Sequence, residues 1–428
     1  MHRRHFLNRL AFASAATGVV THSAFATELL KEPLKIKDLE IWKFDGSRPP
    51  SEGFIGWINS NPSQIYGASD AVPLTKAKEP RGDKIPYSAL YLVVKTNTSM
   101  TGVYGPIDWE AALVVHHQLK RQLIGQYALD IEFIWDRLYR SNRHSRSGHY
   151  MMGLSAVDNA LWDLRGKFLK TPVYQLIGGA ARKQVPVYGS CLGFSVDPEL
   201  VAERCKKLDG QGFTHQKWFF SFGPVHGRKG LEYNVLLAKT LRETLGNESD
   251  FMFDAYMGWN PDYALSWARR AEVYEPFWLE EAFQPAESKS FADLRKKTSI
   301  PIAAGEHLYN RWEVADYLRA DALSFVQVDP EWGGGISELL KICSLASAFN
   351  VRVVPHGHNL HAALHVVASQ SPDVCPMGEY LLNKMDHYYM FERDSLVPIN
   401  GRITLADRPG FGIEFDDSKI DKRERLFS

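Results

Sequence analysis

The chain has 428 residues, 45% of them hydrophobic and 23% charged, which suits one large soluble domain with a second, smaller one. Lys plus Arg and Asp plus Glu both number 50. That balance gives no excess of positive charge to favour nucleic acid or an anionic membrane. The four cysteines, Cys191, Cys205, Cys343 and Cys375, show no C-x-x-C spacing, so buried free thiols are expected rather than a zinc site.

Arg3-Arg4-His5-Phe6-Leu7, the apolar run LAFASAATGVV and Ala24-Phe25-Ala26 form a charged region, a short apolar region and a small-residue cleavage site. This pattern predicts a twin-arginine signal over residues 1–26, a mature chain from about Thr27, and a periplasmic or otherwise exported protein. The apolar run is too short to span a bilayer, so no membrane association is expected after cleavage. From residue 34 the runs IKDLEIWKFDG and YSALYLVVKTNTSMTGVYG alternate as antiparallel strands do, with a turn at Asn-Thr-Ser. Between them lies a long Pro-, Gly- and Ser-rich stretch carrying Trp57, Tyr66 and Arg81, which reads as a lid over a site. Trp57 and Arg81 are its candidate substrate contacts, and a solvated Arg81 is the plain alternative. Helical periodicity then runs from Asp108 to Lys170.

Beyond residue 184 a single theme repeats: an apolar, β-prone run that ends on an acid or a histidine. QVPVYGSCLGF and THQKWFF open the series, and FMFD, FWLE, IPIAAGE, LSFVQVD, VRVVPH and CPMGE continue it. The last six end at Asp254, Glu280, Glu306, Asp329, His356 and Glu379, at intervals of 23 to 27 residues. Strand, loop, helix and loop take about that many residues when strands run parallel. Helical patterns such as ISELLKICSLASAFN fill the intervals. The expected fold is an α/β barrel of the (β/α)7β kind, a modified TIM barrel, over residues 148–384. An α+β capping domain with its lid takes residues 34–147, and the tail over 385–428 returns to that cap. The C-terminal strand ends of such a barrel meet at one mouth, which gathers all six acidic or imidazole groups there. Strand alternation allows only one of Glu280 and Glu281 to face that mouth. Gly333-Gly334-Gly335 reads as a close-packing turn rather than a phosphate loop. His358 and His361 read as polar loop residues.

The segment GLSAVDNALWDLRGKFLKTPVYQLIGG, Glu280-Glu281 after Trp278-Leu279, AAGEH, QVDPEWGGGISEL and PGFGIEF together resemble the enolase superfamily, in its mandelate racemase subgroup. FGP at 222–224, GEH at 305–307, VVPHG at 353–357 and VPINGRI at 397–403 are most similar to the L-rhamnonate dehydratase branch. The resemblance implies Mg²⁺ held by Asp254, Glu280 and Glu306. It also implies His356 as the base oriented by Asp329, and Glu379 as an electrophilic carboxylic acid with a raised pKa. Many members carry Lys-x-Lys on the second barrel strand; here the triplet is Lys217-Trp218-Phe219, so a second lysine base is missing. That departure favours β-elimination by one histidine over racemisation, with His356 or His307 protonating the departing hydroxyl. Lys217 either faces the substrate carboxylate or is structural. The implied function is a Mg²⁺-dependent acid-sugar dehydratase acting on a rhamnonate-like small molecule, in a homo-oligomer of two or eight subunits. An epimerase or cycloisomerase of acid sugars, or a non-catalytic sugar-acid-binding protein, are the alternatives.

Overall fold

A computed structural model describes residues 33–56, 58–67 and 84–427. The segment expected to be a signal, Trp57 and Arg81 lie outside the described residues. Among those described, no helix is long and apolar enough to cross a membrane.

The cap is an antiparallel sheet of β1 (Ile36–Arg48), β2 (Ile85–Thr96), β3 (Thr101–Ile107) and a strand from the far C-terminus, β13 (Lys422–Leu426). The order is β13-β1-β2-β3, so the tail returns to the cap. Eight parallel strands form the barrel: β4 (Gln184–Ser190), β5 (His215–Phe219), β6 (Asp250–Asp254), β7 (Leu279–Glu280), β8 (Ile302–Ala304), β9 (Phe325–Val326), β10 (Arg352–Val353) and β11 (Gly378–Leu381). A helix follows each of the first seven. The strand β12 (Arg402–Thr404) pairs antiparallel to β4. A seven-residue helix, Leu382–Tyr388, follows β11; its pattern is too short for periodicity to reveal. Several strands are shorter than their apolar runs suggest. Pairing continues past them through Gln327 N–H to the Ala304 carbonyl (3.0 Å) and His356 N–H to the Gln327 carbonyl (3.3 Å).

Strand alternation sets the site. Tyr188, Met252, Trp278, Ala303, Phe325, Val354 and Met377 form a separate apolar cluster. Two residues beyond Met252, Trp278, Val354 and Met377, on the same face, stand Asp254, Glu280, His356 and Glu379. Each of these rungs is therefore apolar below and ionisable above. Glu306 breaks the rule because Gly305, at φ +135°, re-aims the chain; a Cβ there would lie 2.9 Å from the Gln327 nitrogen.

The helix His149–Phe168 joins barrel to cap, packing on β2 and β3 and also on the barrel helix Gly335–Ala348. It supplies that second helix with its N-terminal partners. Asp158 accepts from Ser337 N–H (3.0 Å) and Ser337 hydroxyl (2.6 Å), and Asn159 accepts from Ile336 N–H (3.0 Å). Gly334 and Gly335 both have positive φ, and a Cβ on Gly335 would come within 2.3 Å of the Asp158 carboxylate. The glycine run is a close-packing turn, as its surroundings in the sequence suggest. All four cysteines are free and buried.

His365, buried in the helix Leu360–Ser369, accepts the Tyr174 N–H on Nδ1 (3.0 Å) and is therefore neutral. Burial, with nearby His361, holds its pKa down at about 3 from 6.5. The folded state thus disfavours protonation, and this contribution to stability is complete above pH 6.5 and lost as pH falls below it. By about pH 5 the loss is about 2 kcal/mol. Denaturant melts between pH 7 and 5 should show a shallower pH dependence for His365→Asn than for wild type; equal slopes would contradict the assignment.

Candidate active site

Lys217 stands at the centre of the barrel mouth. Its Nζ lies 2.6 Å from Glu280 Oε1, 2.9 Å from Glu379 Oε1 and 3.3 Å from Asp254 Oδ2, with all four side chains buried. β5 carries the lysine, while β7, β11 and β6 carry its partners. These three ion pairs accord with the structural reading of Lys217. The second Glu280 oxygen accepts from Trp278 Nε1–H (2.9 Å), and Asp254 Oδ1 accepts from Tyr256 N–H (2.8 Å).

Asp254, Glu280 and Glu306 bring one oxygen each within 4.8 Å of one another. Burial pushes the Asp254 carboxyl up to about 7, against Lys217 and with Glu306 and Glu281 adding repulsion. Burial likewise raises Glu280 well above the usual range and raises Glu306. Crowded, desolvated carboxylates of this kind need a cation, and three hard oxygen donors fit a divalent one such as Mg²⁺.

Opposite them His356 holds Asp329 Oδ2 through Nδ1 (2.6 Å), which leaves Nε2 facing Glu306 (3.5 Å) and Glu379 (4.0 Å). Asp329 is itself fixed by Glu331 N–H (2.6 Å) and His358 N–H (3.1 Å). Burial works against the imidazolium, but Glu306, Asp329 and Glu379 outweigh it and raise His356 to about 10. Glu379 departs from expectation. Its carboxylate pairs with Lys217 and accepts Gly357 N–H (3.0 Å), and despite burial Lys217 and His356 hold its pKa at about 2. The pairing favours the ionised form, not the neutral acid that the resemblance implied.

Glu281 is a second correction. Its φ of +40° breaks strand alternation, so both adjacent glutamates are buried at the mouth. Glu281 oxygens lie 3.2 Å from His307 Nδ1, and burial notwithstanding, Glu281 raises that imidazole to about 9. The site therefore contains two histidine–carboxylate dyads, His356–Asp329 and His307–Glu281. Trp332 packs against the histidine loop, with ring centroids 4.8 Å from His356 and 4.9 Å from His358. Neither His358 nor His361 is a surface residue. His358 Nε2–H donates to Asp108 (3.0 Å) while its Nδ1 accepts from Lys384 Nζ (2.9 Å), and His361 pairs with Glu392 (2.9 Å).

These groups open into a cavity of about 840 Å³ bounded by cap and barrel. Lys217, Asp254, Glu306 and His356 line it together with Arg48, Ser51, Lys384 and His387. The described part of the segment expected to form a lid lies on the barrel: Ile55 N–H donates to the Gly193 carbonyl (2.9 Å) and Ser60 N–H to that of Phe220 (2.6 Å). Trp332, Asp108, Arg48 and Lys384 escaped the sequence reading because nothing in their local pattern marks them; only the fold brings them to the cavity.

The enolase C-terminal domain-like family matches residues 200–419, and the mandelate racemase / muconate lactonizing enzyme N-terminal domain family matches residues 94–178. The chain belongs to the enolase superfamily. Its similarity includes an L-rhamnonate dehydratase of Saccharopolyspora erythraea, 31% identical over 361 residues, covering 81% of this chain and 89% of that protein. The crystal structure of L-rhamnonate dehydratase from Gibberella zeae superposes with a TM-score of 0.76 at 27% identity, covering 93% of this chain and 97% of that one. The same enzyme complexed with Mg gives 0.75 at 27% identity, covering 92% and 96%. A 3,6-anhydro-D-galactonate cycloisomerase from Zobellia galactanivorans shares the fold at TM-score 0.71 and 24% identity, covering 91% of this chain and all of that one.

Mg²⁺ at a hundredfold its Kd should stabilise the folded protein by about 2.7 kcal/mol. Thermal melts with and without Mg²⁺ measure this, and Glu280→Gln should abolish most of the shift. An undiminished shift in that variant would place the cation elsewhere.

Proposed function

We propose that this enolase-superfamily enzyme is a Mg²⁺-dependent sugar-acid dehydratase, converting a 2,3-dihydroxy acid to its 2-keto-3-deoxy derivative. The observation that carries the reading is the His356–Asp329 dyad, with its free Nε2 turned toward the carboxylate cluster. Relatives of 27–31% identity named for L-rhamnonate support a six-carbon acid-sugar skeleton.

Asp254, Glu280 and Glu306 would hold the Mg²⁺, which supplies positive charge against the substrate carboxylate and enediolate and offsets the Glu306 charge felt by His356. His356 takes the C2 proton on Nε2; its Nδ1–H remains on Asp329, which orients the ring and stabilises the imidazolium. Lys217 fixes Glu280, Glu379 and Asp254 in one arrangement, so the carboxylates do not repel one another out of position. The C3 hydroxyl then leaves with a proton. His307 is suited to give it, because Glu281 holds its Nδ1 and favours the charged ring. Water is the second product, and the enol ketonises to the 2-keto acid. Phe219 in place of a second lysine removes the group that a two-base racemase would need on the other face.

Purified protein with Mg²⁺ should form 2-keto-3-deoxy acid from one or a few members of a sugar-acid panel. His356→Asn should lower kcat/KM roughly 10²–10⁴-fold. Epimer or lactone isomer appearing without keto acid would move the reading to an epimerase or cycloisomerase.

A further inference from the structure

Two of the four buried thiols touch. Cys343 Sγ, on the helix Gly335–Ala348, lies 3.5 Å from Cys375 Sγ, which stands just ahead of β11. The two residues are 32 positions apart and fully buried, so the fold rather than the local chain brings them together. A disulfide holds its sulfurs about 2.05 Å apart, so this pair has roughly 1.5 Å to close. The Cys375 side has room to move. An exposed turn, Ser371-Pro372-Asp373, precedes it, closed by Val374 N–H (2.9 Å) and Cys375 N–H (2.8 Å) on the Ser371 carbonyl. A cavity of about 640 Å³ at the N-terminal ends of the barrel strands is lined by Ser347, Asp373 and Val374, which belong to the two segments that carry the thiols. Local opening of the turn would let a small oxidant reach Cys375 from that cavity.

Arg182 makes the two sulfurs unequal. Its Nη2 donates to the Cys375 carbonyl, while Nε and Nη1 are buried with no hydrogen-bond partner among the described residues. An uncompensated guanidinium there can stand against a thiolate at Cys375. At Cys343 the contact with Cys375, together with burial, holds the thiol well above its ordinary range. We infer that Cys343 and Cys375 are a disulfide-forming pair, with Cys375 attacking the oxidant and Cys343 resolving the mixed disulfide. The oxidant is itself a disulfide, of a small thiol or of an oxidoreductase. The Cys375 thiolate bonds to one oxidant sulfur and expels the other as a thiolate. Cys343 then gives its proton to that thiolate, attacks Cys375 Sγ and expels the second. Two electrons pass to the oxidant, which leaves as two thiols with both protons. Export directed by the expected N-terminal signal would bring such an oxidant to the folded chain. The covalent loop so closed contains β10, His356 and the helix Leu360–Ser369, and restrains their unfolding.

Fully reduced protein exposed to oxidised mercaptoethanol tests this. Free thiols counted after denaturation should fall from four to two, and a non-reducing peptide map should join the Cys343 and Cys375 peptides. The Tm should rise by a few degrees and fall back on reduction. Cys343→Ser should hold mercaptoethanol on Cys375, and Cys375→Ser should leave Cys343 unmodified and the Tm unchanged. A wild-type count that stays at four, a bond that joins other cysteines, or mercaptoethanol retained on Cys375 of the wild type would overturn the proposal.

Discussion

The structure depends on an excess of buried negative charge tied to one ammonium. Asp254, Glu280 and Glu379 are buried together, with Glu306 and Glu281 beside them, and Lys217 touches the first three. Taking charges out of water is costly, and one lysine does not neutralise five carboxylates. The raised Asp254, Glu280 and Glu306 reflect that imbalance. A divalent cation relieves it, so affinity for metal is built into the electrostatics of the fold. The barrel tolerates this because the apolar rungs below, from Met252 to Met377, hold the strands regardless of what stands above them.

The cap completes the chamber and is bound to the barrel by polar contacts at several points. Asp108, at the start of a cap helix, reaches His358, and Asn359 Nδ2–H donates to the Pro106 carbonyl (3.1 Å). The helix His149–Phe168 serves both units, with Asp158 and Asn159 on a barrel helix and Asp163 accepting Val103 N–H (2.8 Å) from β3. The loop that follows β10 thereby links His356 to a cap residue through His358, only two positions away. Movement of the cap would be felt at that loop.

Much of this was legible in the sequence because parallel barrels repeat. Apolar runs ending on acids at regular intervals gave the strands, and the mouth of a barrel gathers their ends whatever the details. Asp254, Glu280, Glu306, Asp329, His356 and Glu379 do converge, as do Lys217 and His307. The reading failed where a single dihedral or a distant partner decides. Alternation excluded Glu281, yet one positive φ brings it in. The Glu379 ionisation depends on Lys217, 162 residues away in the chain, and Arg48, Asp108 and Lys384 have no local signature. Those residues matter through neighbours that only the closed fold supplies.

Abstraction of the C2 proton by His356, next to the Asp254, Glu280 and Glu306 cluster that would hold the cation, is the central claim. It is tested most directly with the 3-deoxy analogue of whichever sugar acid the enzyme dehydrates, incubated in D₂O and followed by NMR at C2. With no hydroxyl to expel, only proton transfer can be seen. Deuterium should enter C2 in the presence of Mg²⁺, and fail to enter with chelator or in His356→Asn. No exchange with the intact enzyme, or exchange that persists without His356, would contradict the account.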